Sequence, residues 1–443
     1  MLVSHLNTYL DGGAATAARR LHTALLKQGV SSRFRYSDNL NVEAANLVSG
    51  DASYAALQWT GTRAQRGMIG RLRASRFRKR FRRAIRNRPD GFEIFTSPVT
   101  KTPTVLESAL RPSQADGLPS VIHLHWVSRW IDYESFFATL PADQPVVWTL
   151  HDMNAFTGGC HFSNGCAGHV TGCSSCPQLP PQASSSLATE VVQRKVAALS
   201  GVNLHVAAPS RWLIDQAKSS LVFQSARSFH HIPYGIDVSA YYPVEQETAR
   251  RELGVPENAF LICFGAQSTE NRRKGGQELV AALRKLHQQV EVQVMVFGDG
   301  SLMDAEGLPP AIKLGTIQGD EKKRLVYSAA DVFALPSLDD NLPLTGMESM
   351  ACGTPVVGFN AGGIPDYVRP GQSGLIAETG DANSLADCLL QLVRTPRLAT
   401  SLRTTTRLMM QREYRDDVEA NAYQNLYTKI NASATQAPNR HAA

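Results

Sequence analysis

Asp331 to Phe359 reads "DVFALPSLDDNLPLTGMESMACGTPVVGF". The apolar run Val332–Leu335 has the length of a buried strand, the Pro and Asp residues after it make a loop, and a Gly-Thr-Pro turn leads into a second apolar strand at Val356–Phe359. Between loop and turn the chain reads as a helix, with Asp340 just ahead of it and Glu348 inside it, seven residues lying between them, a spacing of eight. That spacing is about two helical turns, so both carboxylates can face one cleft and touch one ligand at two points. Strand, polar loop, helix and strand in this order form the repeating unit of a parallel sheet covered by helices.

The same unit recurs on both sides. "FLICFGA" (260–266) is followed by the polar loop "QSTENRRKGG" (267–276) and the periodic segment "QELVAALRKLHQQ" (277–289); "VQVMVFG", "IKLG" and "GLIA" read as further strands. Near the N-terminus, "MLVSHLN" reads as a strand, "YLDGGAA" as a glycine turn and "ATAARRLHTALLKQG" as an amphipathic helix ending at Gly29. "SVIHLHWV", "PVVWTLHD" and "LHVAAPS" complete a second set of buried strands. "FHHIPYGIDVSAYYP" (229–243) interrupts the alternation with prolines and a glycine, which sets a boundary near residue 240. The fold class is therefore α/β with two doubly wound domains, 1–240 and 241–410, then a helix over 411–430 expected to return to the first domain, and a flexible tail over 431–443.

The 443 residues, 43% hydrophobic, suffice for two or three domains with real cores, and two is the count adopted. No apolar run of about 18 residues and no secretory leader pattern is present, so a cytoplasmic protein without a membrane span is expected. The net charge of +6 is uneven: residues 63–88 hold twelve Lys or Arg and no acid, and the rest of the chain is net acidic. Met68, Ile69, Leu72, Phe77, Phe81 and Ile85 interleave with these cations at roughly helical spacing. Such a helix suits an anionic membrane surface; a nucleic-acid face or a solvated helix are the alternatives.

Several motifs carry chemistry. Gly12 and Gly13 follow a strand and open a helix, where bare backbone N–H groups can meet a phosphate, although a glycine pair there also serves as a plain turn. Arg272, Arg273 and Lys274 stand at a strand mouth before a helix, as a diphosphate site or as a solvated basic turn. His151 and Asp152 end an apolar strand, where a histidine can donate to a hydroxyl or simply cap the strand. His123 and His125 alternate with apolar residues and read as core. In the Cys-rich loop 158–178, Cys160, Cys166, Cys173 and Cys176 end in a Cys-x2-Cys pair that can grip one metal. A structural zinc, with His161 or His169 as substitute ligands, competes there with packing thiols or a redox pair.

Taken together, "YLDGGAATAARRL", "LHDMNAFTGGCHF", "HIPYGID", "RRKGG", the Asp331–Phe359 stretch and "AGGIPDYVRPGQSGLI" resemble the retaining glycosyltransferases of family four, and the Cys-rich loop is similar to that of bacterial exopolysaccharide and colanic acid enzymes. The resemblance covers about residues 4–430. It implies the GT-B fold, two Rossmann-like domains facing across a cleft, with a UDP- or GDP-sugar held mainly by the C-terminal one. Glu348 would meet the ribose hydroxyls, Asp340 the donor sugar, and Arg273 with Lys274 the diphosphate. Gly12, Gly13 and His151 would lie near the transferring sugar, with His151 and Asp340 as the catalytic pair. The base would rest on backbone near Gly315 to Gly319. Transfer would retain anomeric configuration without a catalytic metal, the departing phosphate helping to take the acceptor's proton. Asp340 stands where the family has Glu, one methylene longer. Gly265-Ala266 stands where it often has Gly-Arg, so a second phosphate cation must come from Arg272 or Arg273.

The expected activity is sugar transfer to a glycan or polyprenyl-diphosphate-linked acceptor in surface-polysaccharide synthesis, peripheral on the inner face of the membrane through residues 63–88, with no nucleic acid partner. A nucleotide-sugar epimerase or hydrolase of the same architecture and a zinc-stapled nucleic-acid-binding protein are the competing classes; the second leaves the carboxylate stretch idle.

Overall fold

The computed structural model describes residues 1–37, 40–41, 44–57, 68–100, 120–184 and 186–435. The chain divides into two units, residues 1–233 with 419–443, and 234–418. The boundary expected near residue 240 thus falls at Pro233/Tyr234, because β7 continues the first sheet almost to that proline and the Tyr234 side of the segment packs with the second unit. The second unit also runs past the expected end at 410, through a helix Pro396–Glu413.

The first unit holds a seven-stranded sheet in the order β3-β2-β1-β4-β5-β6-β7, every neighbouring pair parallel. The strands are β1 Leu2–Leu6, β2 Ser31–Ser37, β3 Tyr54–Leu57, β4 Val121–Leu124, β5 Val146–Thr149, β6 Leu204–Ala208 and β7 Ser228–His231. The central strands β4, β5 and β6 are buried throughout, as strands covered on both faces must be. β2, "SSRFRYS", lacks an apolar run: it buries Ser32, Phe34 and Tyr36 and leaves Arg33 and Arg35 half-buried, an alternation that short-run reading passes over.

The helix Met68–Arg86 covers most of the basic segment; residues 63–67 lie outside the described residues. Its apolar face points inward. Ala74, Phe77, Phe81 and Ala84 are buried in the unit's main core, which corrects the expectation that Phe77 and Phe81 belong to a membrane-facing surface. Arg78 donates to the Thr100 carbonyl at 2.7 Å, Arg80 pairs with Glu190 at 3.1 Å and Arg88 is held by Gln178 and the Glu93 carbonyl. Exposed instead are Met68, Ile69 and Leu72 among Arg71, Arg73, Arg76, Lys79, Arg82 and Arg83.

The last helix is Asp416–Thr435 and from Glu419 on it belongs to the first unit, burying Ala420, Tyr423, Leu426, Tyr427 and Ile430 against Val3, Val121 and Val147 of the sheet. It begins later than the expected 411 and replaces the first residues of the expected tail; residues 436–443 lie outside the described residues.

The second unit is a six-stranded parallel sheet in the order β10-β9-β8-β11-β12-β13, with β8 Leu261–Ser268, β9 Gln293–Asp299, β10 Ala311–Lys313, β11 Val332–Leu335, β12 Val356–Phe359 and β13 Gly374–Ala377. β8 lies between β9 and β11, so the connections leave it in opposite directions. That is the switch point of the sheet, where loops diverge and a crevice opens at the carboxyl ends of the strands.

Candidate functional site

Three loops meet at that end of the second unit. Arg272–Lys274 form one helical turn after β8, capped by Asn271, whose side-chain oxygen accepts from the Arg273 N–H at 3.0 Å. The loop after β11 is fastened to it by Leu338 N–H donating to the Arg273 carbonyl at 2.7 Å. Gly275, at φ +69°, sits so close to β11's exit that a Cβ would fall 1.7 Å from the Pro336 oxygen. The loop after β12 presses from the other side: Gly363 N–H donates to the Asp340 carbonyl at 3.1 Å, and a Cβ on Gly362 would stand 1.8 Å from that oxygen. Gly275 in "RRKGG" and Gly362 in "AGG" are therefore demanded by close backbone approach, and together they clamp Asp340 in place.

Asp340, 8% exposed, accepts from Lys274 Nζ at 2.6 Å and pairs with Arg273 Nη1 at 3.0 Å; Arg273 also donates to the Asp339 carbonyl at 2.9 Å. Burial alone would raise the Asp340 carboxyl, but the Lys274 and Arg273 charges outweigh it and hold the group at about 2. Arg272 faces the other way, bidentate on Glu278 of its own following helix at 2.7 and 2.8 Å. Of the two arginines in question, the one beside Lys274 and Asp340 is Arg273.

Glu348 lies inside the helix Leu344–Ala351, 2% exposed, accepting from the Tyr327 hydroxyl at 3.0 Å with Lys323 Nζ at 3.8 Å. Both partners lie on the helix Asp320–Ala329, whose N-cap is Gly319 and whose lead-in loop carries Gly315, hydrogen-bonded through its carbonyl to Gly298 N–H. The two carboxylates thus have separate partners: one answers the loop cations, the other a tyrosine and a lysine.

In the first unit, Gly12 caps the helix Gly13–Lys27 at φ +84°, a conformation that favours glycine, and a Cβ on either glycine would meet nothing within 4 Å. The helix has no side-chain cap and no acid in its first turn, so its positive end is open to an anion.

His151 follows β5, and its Nε2 lies 3.0 Å from Nδ1 of His125, which follows β4; His125 Nε2 lies 2.9 Å from Nδ1 of His5 on β1. Burial lowers His151 to about 4 against the opposing pull of Asp152, and drives His5 and His125 well below the ordinary histidine value. All three are neutral at pH 7. His123 is committed to the Tyr427 hydroxyl and Thr149 Oγ1, both at 2.7 Å, which ties the last helix to the sheet. Among the described residues, His5, His123 and His125 are the metal-capable side chains whose nitrogens gather within 4.8 Å. Their rings are tilted or stacked, and both nitrogens of His123 and His125 already have partners, which is a hydrogen-bonded chain and not the edge-on array of a metal site.

Asp152 accepts from Trp126 Nε1, His161 Nδ1 and the Asn154 N–H; although burial works against its charge, His161 and these donors keep it below the usual carboxylate range. His161 uses its second nitrogen on Thr96 Oγ1 at 2.9 Å, so both its nitrogens are engaged away from the cysteines. Lys195, fully buried, donates to the Asn154 and Thr157 carbonyls and pins the same loop; burial lowers its ammonium to about 8. In the sequence pattern His125 reads as core, and neither His5 nor Lys195 stands out from its apolar neighbours. The available signal for Lys195 was a lysine on the apolar stripe of "EVVQRKVAAL".

The four cysteines line one small cavity with Phe95, His169 and Gln178. Gly158 N–H and Gly168 N–H point at Cys173 Sγ (3.2 Å) and Cys166 Sγ (3.4 Å). Tetrahedral zinc–thiolate bonds of about 2.3 Å place sulfurs roughly 3.8 Å apart. No three of these cysteine sulfurs gather within 4.8 Å, so the thiols surround the cavity without a preassembled tetrahedron. Burial raises Cys160 to about 12 and Cys176 to about 11, the state of protonated thiols.

Residues 259–395 match the model of the family described as Glycosyl transferases group 1. The matched span lies within the second unit and holds the Arg273–Lys274 turn, both carboxylates and the Gly362 loop. Among curated proteins, the chain is 33% identical over 180 residues to D-inositol 3-phosphate glycosyltransferase of Corynebacterium jeikeium (37% of this chain, 42% of that one). It is 31% identical over 188 residues to alpha-maltose-1-phosphate synthase of Mycolicibacterium smegmatis (38% and 48%). These matches span about half or less of the relatives' length. In three dimensions, sucrose-phosphate synthase from Thermosynechococcus elongatus superposes with a TM-score of 0.66 at 20% identity, covering 98% of this chain and 99% of that one. Anabaena Alr3699/HepE, solved in complex with UDP-glucose, superposes with a TM-score of 0.61 at 15% identity, covering 97% and 100%. The fold is that of GT-B glycosyltransferases, two parallel-sheet α/β units, and within the second unit residues 259–395 are similar to the group 1 glycosyl transferases. Among the described residues no helix is long and apolar enough to cross a membrane.

Proposed function

We propose that this protein is a retaining glycosyltransferase that moves a sugar from a nucleotide-sugar to a glycan or polyprenyl-diphosphate-linked acceptor. The observation that carries the reading is the convergence of Arg273 and Lys274 on buried Asp340 at the switch point of the second sheet, with buried Glu348 on the adjoining helix. Two cations held there by one carboxylate are set to take a diphosphate, whose charge grows as the glycosidic bond breaks and is then stabilised most. Asp340, released from part of that pairing, accepts hydroxyls of the donor sugar, and Glu348 accepts those of the ribose. The neutral state of His151 suits a hydrogen-bond donor more than an acid. The similarity to group 1 enzymes and to a fold solved with UDP-glucose supports a nucleotide-sugar donor.

The exposed face of the helix Met68–Arg86, with Met68, Ile69 and Leu72 among eight exposed cations, supports docking on an anionic membrane, where a lipid-linked acceptor of a surface polysaccharide would be met. The cysteine loop we assign to structure, as a zinc site whose four sulfurs draw in around the metal. The deciding experiment incubates the protein with UDP- and GDP-sugars and membrane lipid extract and follows the sugar by mass spectrometry and anomeric NMR. Sugar moved to lipid with retained configuration supports the reading; a donor only epimerised or hydrolysed refutes it.

A further inference from the structure

We infer that His125 is a positioning residue which, with His5 behind it, fixes the tautomer of His151 with the hydrogen on Nδ1. The three rings gather at the carboxyl ends of the neighbouring strands β1, β4 and β5, linked His5 Nδ1 to His125 Nε2 at 2.9 Å and His125 Nδ1 to His151 Nε2 at 3.0 Å. His5 is 0% and His125 2% exposed, and burial keeps both neutral, so each ring has one N–H.

Two arrangements alone satisfy both links. In one, His5 Nδ1–H donates to His125, His125 Nδ1–H donates to His151, and His151 carries its hydrogen on Nδ1. In the other every proton sits on the opposite nitrogen, and His5 Nε2 bears a hydrogen. His5 Nε2 is buried with no hydrogen-bond partner among the described residues. A buried N–H without an acceptor is more costly than a bare lone pair, and the difference favours the first arrangement by about tenfold or more. A free neutral imidazole prefers the hydrogen on Nε2, so the chain of rings reverses the intrinsic preference of His151. The tautomer of a histidine follows from what its other nitrogen meets.

The consequence rests on the proposed sugar transfer and deepens it. With Nε2 occupied by His125, His151 meets a ligand as a neutral donor through Nδ1–H and does not serve as the base. The proton of the acceptor hydroxyl must then go elsewhere, to the departing phosphate oxygen.

The test is a long-range proton–nitrogen correlation spectrum of the 15N-labelled full chain near pH 7.5, with His151 assigned by substitution. The native protein should show His151 with the hydrogen on Nδ1; a hydrogen on Nε2 overturns the inference. His125→Leu removes the donor and should move His151 toward the Nε2–H form, with kcat for transfer falling about ten- to hundredfold and KM for the donor unchanged, as when a positioning partner is lost. His125→Asn, whose amide N–H stands near the place of Nδ1, should recover both. An unshifted His151 in His125→Leu overturns the inference. If that variant does not fold, the native and His125→Asn spectra still decide it. A shifted tautomer with transfer unaffected upholds the chain of rings and refutes the role of His151 in the proposed reaction.

Discussion

Asp340→Asn separates charge from shape at the centre of the second unit's site. The carboxyl stands at about 2 instead of the ordinary aspartate value of 3.8 through Lys274 and Arg273, which corresponds to about 2 kcal/mol of net ion-pair stabilisation. The sign follows from the depressed value: the stabilisation is fully present above about pH 4 and is lost as pH falls toward 2. At pH 7 the substitution removes it and leaves two cations facing each other, only 12% and 24% exposed. A unit of this size should melt about 4–8 °C lower. A nucleoside diphosphate brings back the missing negative charge, so its stabilising increment should be larger in Asp340→Asn than in the native protein, while turnover of donor falls. Differential scanning fluorimetry with UDP or GDP from zero to saturation reads both quantities. An unchanged melting temperature refutes the pairing, and an equal or smaller diphosphate increment in the variant refutes the assignment of Arg273 and Lys274 to phosphate.

Glu348→Gln should weaken binding of the bare nucleoside diphosphate by about 1.5–3 kcal/mol, the worth of a charged hydrogen bond, measured by calorimetry; undiminished affinity removes the ribose assignment. Neutralising Arg71, Arg73, Arg76, Lys79, Arg82 and Arg83 should abolish flotation with anionic vesicles, at about 1 kcal/mol per cation near the surface, whereas changing the internally paired Arg78 and Arg80 should not. Elemental analysis should find about one zinc per chain for four closed thiolates; metal-free protein with full transfer activity would leave the cysteines as packed thiols.

The strands of the second unit were legible in the sequence because β8, β9, β11 and β12 are apolar runs punctuated by glycine and proline, and buried parallel strands need little else to declare themselves. The carboxylate spacing and the basic turn were legible for a related reason: site residues at strand ends interrupt an apolar pattern. β2 was not, since its Arg33 and Arg35 share it with Phe34 and Tyr36, nor was the turning inward of Phe77 and Phe81, since an amphipathic helix does not say which surface its apolar face will cover. Which arginine joins Lys274 was decided only when Leu338 and Gly275 docked the loop after β11 against Arg273, leaving Arg272 to Glu278. Likewise His5, His125 and His151 are 120 and 26 residues apart in sequence and one hydrogen bond apart in space, because β1, β4 and β5 are neighbours in the sheet. Local pattern records burial and turn chemistry; the pairing of distant side chains is set by strand order and crossover, which no single segment encodes.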